Sequence, residues 1–201
     1  MKRFDQSFGV TKRSSQGASP GTGVPEIDDL IRQYGGCVFE DGLYRIHSQD
    51  ESRRWSATVN RIFPQTVGTA IVFGQDWQGN QFGWRNGNQT CVLLYQIAAG
   101  EVYEVSDSLQ AVHDVELVDH ADEALNAVRW REWCESGGEK PADERSVGYT
   151  VPLFLGGADQ LENLGLCNTE VYWDITAQML AQVRRLPPGT PISGVQIVEN
   201  D

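Results

Sequence analysis

The residues with the widest chemical repertoire are few and dispersed. The three histidines, His47, His113 and His120, fall in no HExxH or other zinc-ligand spacing. His113 and His120 stand seven residues apart and can share a helix face, but a solvent-facing or capping role is the plainer expectation for them. The four cysteines, Cys37, Cys91, Cys134 and Cys167, are widely separated with no CxxC pair, so they read as buried free thiols in a reducing compartment. The patterns GxSxG, GxGxxG and GxxxxGKS/T are absent, and the GTG at 21–23 has no lysine after it. Acid pairs such as Asp28/Asp29 and Asp122/Glu123 could in principle supply an acid and a base. Neighbouring residues on a helix point apart, however, so solvated charge is the expected reading. No catalytic, cofactor-binding or metal-ligating residue is expected, and the chain does not read as an enzyme.

The chemistry that remains is recognition. The formal net charge is −12, and residues 101–145 hold thirteen acids against four bases, a balance of −9. Such a surface disfavours direct contact with a nucleic-acid backbone, whose phosphates need Lys and Arg. Its natural complement is a basic protein. Within this region Glu116, Asp119, Asp122 and Glu123 are the candidate contact residues. A second candidate is the turn FGQDWQGNQF (73–82), where Trp77 beside Asp76 would form an exposed aromatic anchor if it points outward. If Trp77 folds back over the sheet instead, it is a core residue.

The elements that must position these residues follow from the apolar periodicity. Residues 1–23 are rich in Ser and Gly, without a periodic apolar pattern or a signal-peptide hydrophobic run, and read as a flexible tail. Pro25 opens a helix that Gly35 and Gly36 end, and 50–63 is a second helix stopped by Pro64. GLYRIH (42–47) is a short strand. TAIVFG (69–74), NQFGWR (80–85), TCVLLYQ (90–96) and EVYEVS (101–106) are joined by short turns, which predicts an antiparallel meander. From Leu109 to Cys134 the pattern is helical, with Leu117, Ala121, Ala124, Leu125 and Val128 inward and acids on the other faces. Residues 136–146 form a polar loop, and 147–157 is an extended stretch broken at Pro152. A helix then runs from Glu170 to Leu186 with Ile175, Met179, Val183 and Leu186 inward, and VQIVE (195–199) reads as a final strand. The fold class is α+β, an antiparallel meander packed with helices. Residues 24–145 and 146–201 are expected to pack in one domain, and no apolar run is long enough to span a membrane.

Two stretches carry a family likeness. GTAIVFGQDWQGNQF (68–82) and VGYTVPLFLGGADQLENLGLCNTEVYWDITAQMLAQVRRLPPGTPI (147–192) resemble bacterial GAD-like-domain proteins, whose C-terminal domain is shared with type VI secretion immunity proteins against DNase toxins. YGGCVFEDGLYRIH (34–47) is similar to the N-terminal part of that family, so the likeness covers roughly residues 30–198. The resemblance implies a SUKH-like α+β immunity fold. It also implies a cytoplasmic antitoxin whose partner is a cognate toxin, a basic nuclease, and it brings no catalytic residues with it. The alternative is a regulatory or scaffold module of the same fold with a non-toxin partner.

Overall fold

The computed structural model describes the chain except for residues 15–19, 65–69, 86–89, 188–189, 192–193, 195 and 198–201. Its centre is a seven-stranded sheet in which every strand pairs antiparallel with its neighbour in sequence. The strands are β1 (Val10–Arg13), β2 (Cys37–Phe39), β3 (Tyr44–Ile46), β4 (Ala70–Asp76), β5 (Gln81–Arg85), β6 (Cys91–Gln96) and β7 (Glu101–Ser106). The four runs expected to form the meander become β4 to β7, with ends shifted by at most two residues. The run CVLLYQ is apolar at successive positions because both faces of the sheet are covered. Cys91, Leu93 and Tyr95 enter one core cluster, and Val92 and Leu94 enter the other.

On one face lie α3 (Gln49–Ile62) and α8 (Thr169–Val183), which bring Trp55, Val59 and Trp173 onto the sheet. The first of these starts where the sequence supplies a capping box. The Ser48 N–H donates to Glu51 Oε2 at 2.8 Å, and the Ser48 hydroxyl accepts from the Glu51 N–H. Ser52 then fastens the helix to β4 by donating its hydroxyl to the Val72 carbonyl at 2.6 Å.

The opposite face is covered by α1 (Lys2–Ser7), α2 (Pro25–Tyr34) and a chain of short helices. These are α4 (Leu109–Ala111), a π-helical turn at Val112–Glu116, α5 (Leu117–Asp119), α6 (Ala121–Leu125) and α7 (Ala127–Glu135). A two-stranded ribbon of β8 (Arg145–Tyr149) and β9 (Leu164–Asn168) completes the architecture, with Val147 and Leu164 in the same core as Phe4 and Tyr44.

Several expectations are corrected. Residues 2–13, read as part of a flexible tail, form α1 and the edge strand β1, with Phe4 buried at 0% exposure. The helical run expected from Leu109 to Cys134 is divided by the π turn and by Asn126, whose φ of 51° ends one helix and starts the next. That break rotates Val128 outward, to 44% exposure. The inward face of α8 is Trp173, Thr176 and Leu180, whereas Ile175 and Leu186 are exposed. The indole at 173 packs against Trp55 and Phe63, with ring centroids 5.4 and 6.3 Å apart, so the inward stripe centres on it and not on the neighbouring aliphatic residues. Strands β2 and β9 were not foreseen. The terminal strand expected at 195–199 lies mostly outside the described residues, and Gln196 and Ile197 within it are not in a strand.

Candidate functional site

The β4–β5 turn is buried, and its own sequence shows how. The Asp76 carboxylate accepts the backbone N–H groups of Gln78 and Asn80 and the side-chain amide of Asn80, each at 2.9 Å. Gly79, at φ 78°, lets the chain turn in a place where a Cβ would lie 2.8 Å from Ser146 Oγ. The Trp77 indole donates to the Leu125 carbonyl at 2.9 Å and lies against Trp130, with ring centroids 5.4 Å apart. From the other side of the sheet the Trp173 indole donates to the Gly79 carbonyl at 2.8 Å. Trp77 is therefore 1% exposed, and the reading of it as an exposed aromatic anchor is corrected. It is the rivet between the meander and α6.

Asp76, 2% exposed, is likewise no surface contact. Burial pushes its carboxyl up to about 7 against the opposing pull of the three N–H donors. Asp76→Ala strands those donors and is expected to cost roughly 2–4 kcal/mol in urea unfolding. Asp76→Asn, which keeps an acceptor in place, costs less. Equal losses for the two would show that the donors find other partners.

Beside this turn opens a polar cavity of about 290 Å³, walled by Asp76, Asn80, Asp122, Glu123, Tyr149 and Asp159. A shallower groove of about 400 Å³ adjoins it, lined by Tyr103, Val105, Glu116, His120 and Glu123. The two share Gln96, Glu123 and Ala124, so they form one cleft with Glu123 on the common rim. Among the described residues neither part is lined by Lys or Arg.

The structure thus brings Asp76, Asp122 and Glu123 together, and sets Glu116 next to Glu123. Asp119 is not among the residues lining either part. Its carboxylate holds the Arg3 guanidinium in a two-pronged pair at 2.6 and 2.7 Å, which draws it below the usual carboxylate range. Asp122 is also partly answered, by Arg131 at 3.1 Å. Glu116 and Glu123 have no ion pair with any described residue, and they carry the cleft's net charge.

Residues that sequence reasoning missed complete the wall. The Tyr149 phenol donates to Asp159 at 2.7 Å and is pushed up to about 12, first by burial and then by that carboxylate. Asn126 donates its side-chain amide to Gln78 Oε1 at 3.2 Å, tying the helix break to the turn. The asparagine within an otherwise helical run was the one available signal, since Asn tolerates the left-handed conformation. Among the described residues no cluster of His, Cys, Asp and Glu has a metal-holding arrangement.

Fold and cleft together define an α+β protein with a sheet-centred core and an acidic recess where the β4–β5 turn meets α6. This architecture is similar to the crystal structure of Atu4351 from Agrobacterium tumefaciens, with a TM-score of 0.60 over 89% of each chain at 15% identity. At that identity the likeness concerns the fold alone. No protein-family model and no curated protein matches the sequence.

Proposed function

We propose that this protein is an immunity protein that binds and neutralises a cognate type VI secretion toxin, a basic nuclease. The proposal joins the sequence resemblance to one structural observation. Among the described residues Glu116 and Glu123 have no ion pair and line a recess without Lys or Arg, while Asp119 and Asp122 are held by Arg3 and Arg131. A basic surface built to meet DNA phosphates would find in that recess a competing array of carboxylates. Tyr103, 45% exposed beside the same groove, offers a rigid amphipathic contact of the kind enriched at interfaces.

The biological test is co-expression with the toxin encoded next to this gene. Protection is expected, and cells that die equally fast with and without the protein would remove the toxin from the proposal. The surface has its own test. Glu116→Lys/Glu123→Lys is expected to weaken toxin binding roughly 10- to 100-fold, mainly by slower association, and to flatten its salt dependence. Asp119→Asn, which removes one of the two partners of the Arg3 guanidinium, is expected to change binding far less. If the two variants behave alike, the interface lies elsewhere.

One observation favours a second reading, acid–base catalysis. Asp76 has a raised carboxyl pKa and shares a concavity with Asp122, Glu123 and Asp159, which come from distant segments. Against this, both Asp76 oxygens are occupied by turn donors. A carboxylate so held is a poor proton shuttle.

A further inference from the structure

On the α3 side of the sheet, one register position from Asp76, stands an arginine with no counterpart among the described residues. Arg45, in β3, is 7% exposed. Its guanidinium makes no hydrogen bond or ion pair with any described residue, although it is always charged and offers five donors. The register shows why the sheet does not supply a partner. Arg45 lies opposite Gln75, and Gln75 lies opposite Gln81. These amides are committed elsewhere: Gln81 Nε2 donates to Gln75 Oε1 at 3.2 Å, and Gln81 Oε1 meets His47 Nε2 at 2.8 Å. The nearby acids are committed too. Glu51 accepts from the backbone N–H and hydroxyl of Ser48 at 2.8 and 2.7 Å, and Asp143 is paired with Lys12. Both act on Arg45 only across space.

Arg45 faces a cavity of about 230 Å³, whose wall also holds Ser14, Ser48, Glu51, Asp143 and Glu144. A guanidinium that takes no acceptor from the described chain and stands on the wall of a cavity has its donors available to a ligand. The rest of the wall decides which one. With three carboxylates around it, the cavity repels a polyanion such as phosphate. A group with one carboxylate and an adjacent ammonium satisfies both sides. Glu144 is exposed and has no ion pair among the described residues, so it is the carboxylate free to receive the ammonium. The volume falls below the usual range for drug-sized ligands and suits a smaller one. From the unpaired Arg45 and the acids around it we infer a binding site for a free α-amino acid, its carboxylate forked on Arg45 and its ammonium toward Glu144.

The experiment is thermal unfolding of the full chain with each of the twenty amino acids at millimolar concentration, with acetate, inorganic phosphate and methylammonium as separate controls. At least one amino acid is expected to raise the midpoint by about 2–4 °C, with smaller or no shifts from the controls. Arg45→Met is expected to abolish the shift without lowering the midpoint of the ligand-free protein, because the guanidinium makes no hydrogen bond or ion pair with a described residue. Arg45→Lys, which keeps the charge but loses the fork, is expected to bind roughly tenfold more weakly. Glu144→Gln, a surface change, is expected to reduce the amino-acid shift while leaving stability unchanged. The site is overturned if no amino acid shifts the midpoint, if phosphate shifts it more than any amino acid, or if Arg45→Met markedly destabilises or unfolds the ligand-free protein. The last result would mean that the guanidinium has a structural partner within the chain.

Discussion

Phe4→Ala is expected to destabilise the protein by about 3–5 kcal/mol, the loss typical of truncating a fully buried aromatic. The ring stacks on Phe8 with centroids 4.7 Å apart and meets Phe39 at 4.9 Å and His113 at 5.2 Å. Its helix is too short to form alone, since nucleation outweighs the gain from six residues. The cap comes from far along the chain: Asp114 Oδ1 accepts the N–H groups of Arg3 and Phe4 at 3.1 and 3.2 Å. A substitution in an undocked tail would change stability by no more than about 0.5 kcal/mol. Urea unfolding separates the two outcomes cleanly, and a loss under 1 kcal/mol would show that α1 is not docked in solution. Asp114→Ala is expected to reproduce part of the effect, because it removes the only acceptor for those two N–H groups among the described residues.

Acidification from pH 6.5 to about 4 is expected to lower stability by about 3 kcal/mol, through two histidines that fold neutral. His113 donates Nδ1–H to the Leu109 carbonyl at 2.8 Å, which leaves Nε2 to accept from the Tyr44 hydroxyl at 3.1 Å. His47 bonds Gln81 through Nε2 and stacks on Trp55. Burial holds both down to about 4, from an ordinary 6.5. Between those values the unfolded chain binds two protons that the folded protein refuses, so stability is complete above pH 6.5 and drains away toward pH 4. Asp76 works in reverse: its folded carboxyl keeps a proton up to about 7, against an ordinary 3.8, so it favours folding at low pH. Two protons against one leave a net difference of one. That amounts to about 1.4 kcal/mol per pH unit. His113→Gln removes one histidine and is expected to flatten the profile across this window, whatever it does to absolute stability. Parallel wild-type and variant profiles would rule out His113 as a source of the slope.

The sequence by itself determined the meander and the helices that flank it, because their signals are local. Pro25 before an apolar stripe, Pro64 after one, and short turns between apolar runs each act within a few residues of where they stand. It also determined that the acid excess is concentrated in 101–145, which is arithmetic on residue types.

Tertiary contact decided the rest. Residues 2–7 carry too weak a local pattern to declare a helix; Asp114, more than a hundred positions away, makes them one. Exposure of Trp77 depended on whether an acceptor waited inside the fold, and the Leu125 carbonyl was that acceptor. The four acids named from charge alone looked equivalent. Only the fold paired Asp119 with Arg3 and Asp122 with Arg131, leaving Glu116 and Glu123 to shape the cleft. Composition records how many charges a segment holds, but the potential at a surface depends on which of them are answered, and those answering groups come from elsewhere in the chain.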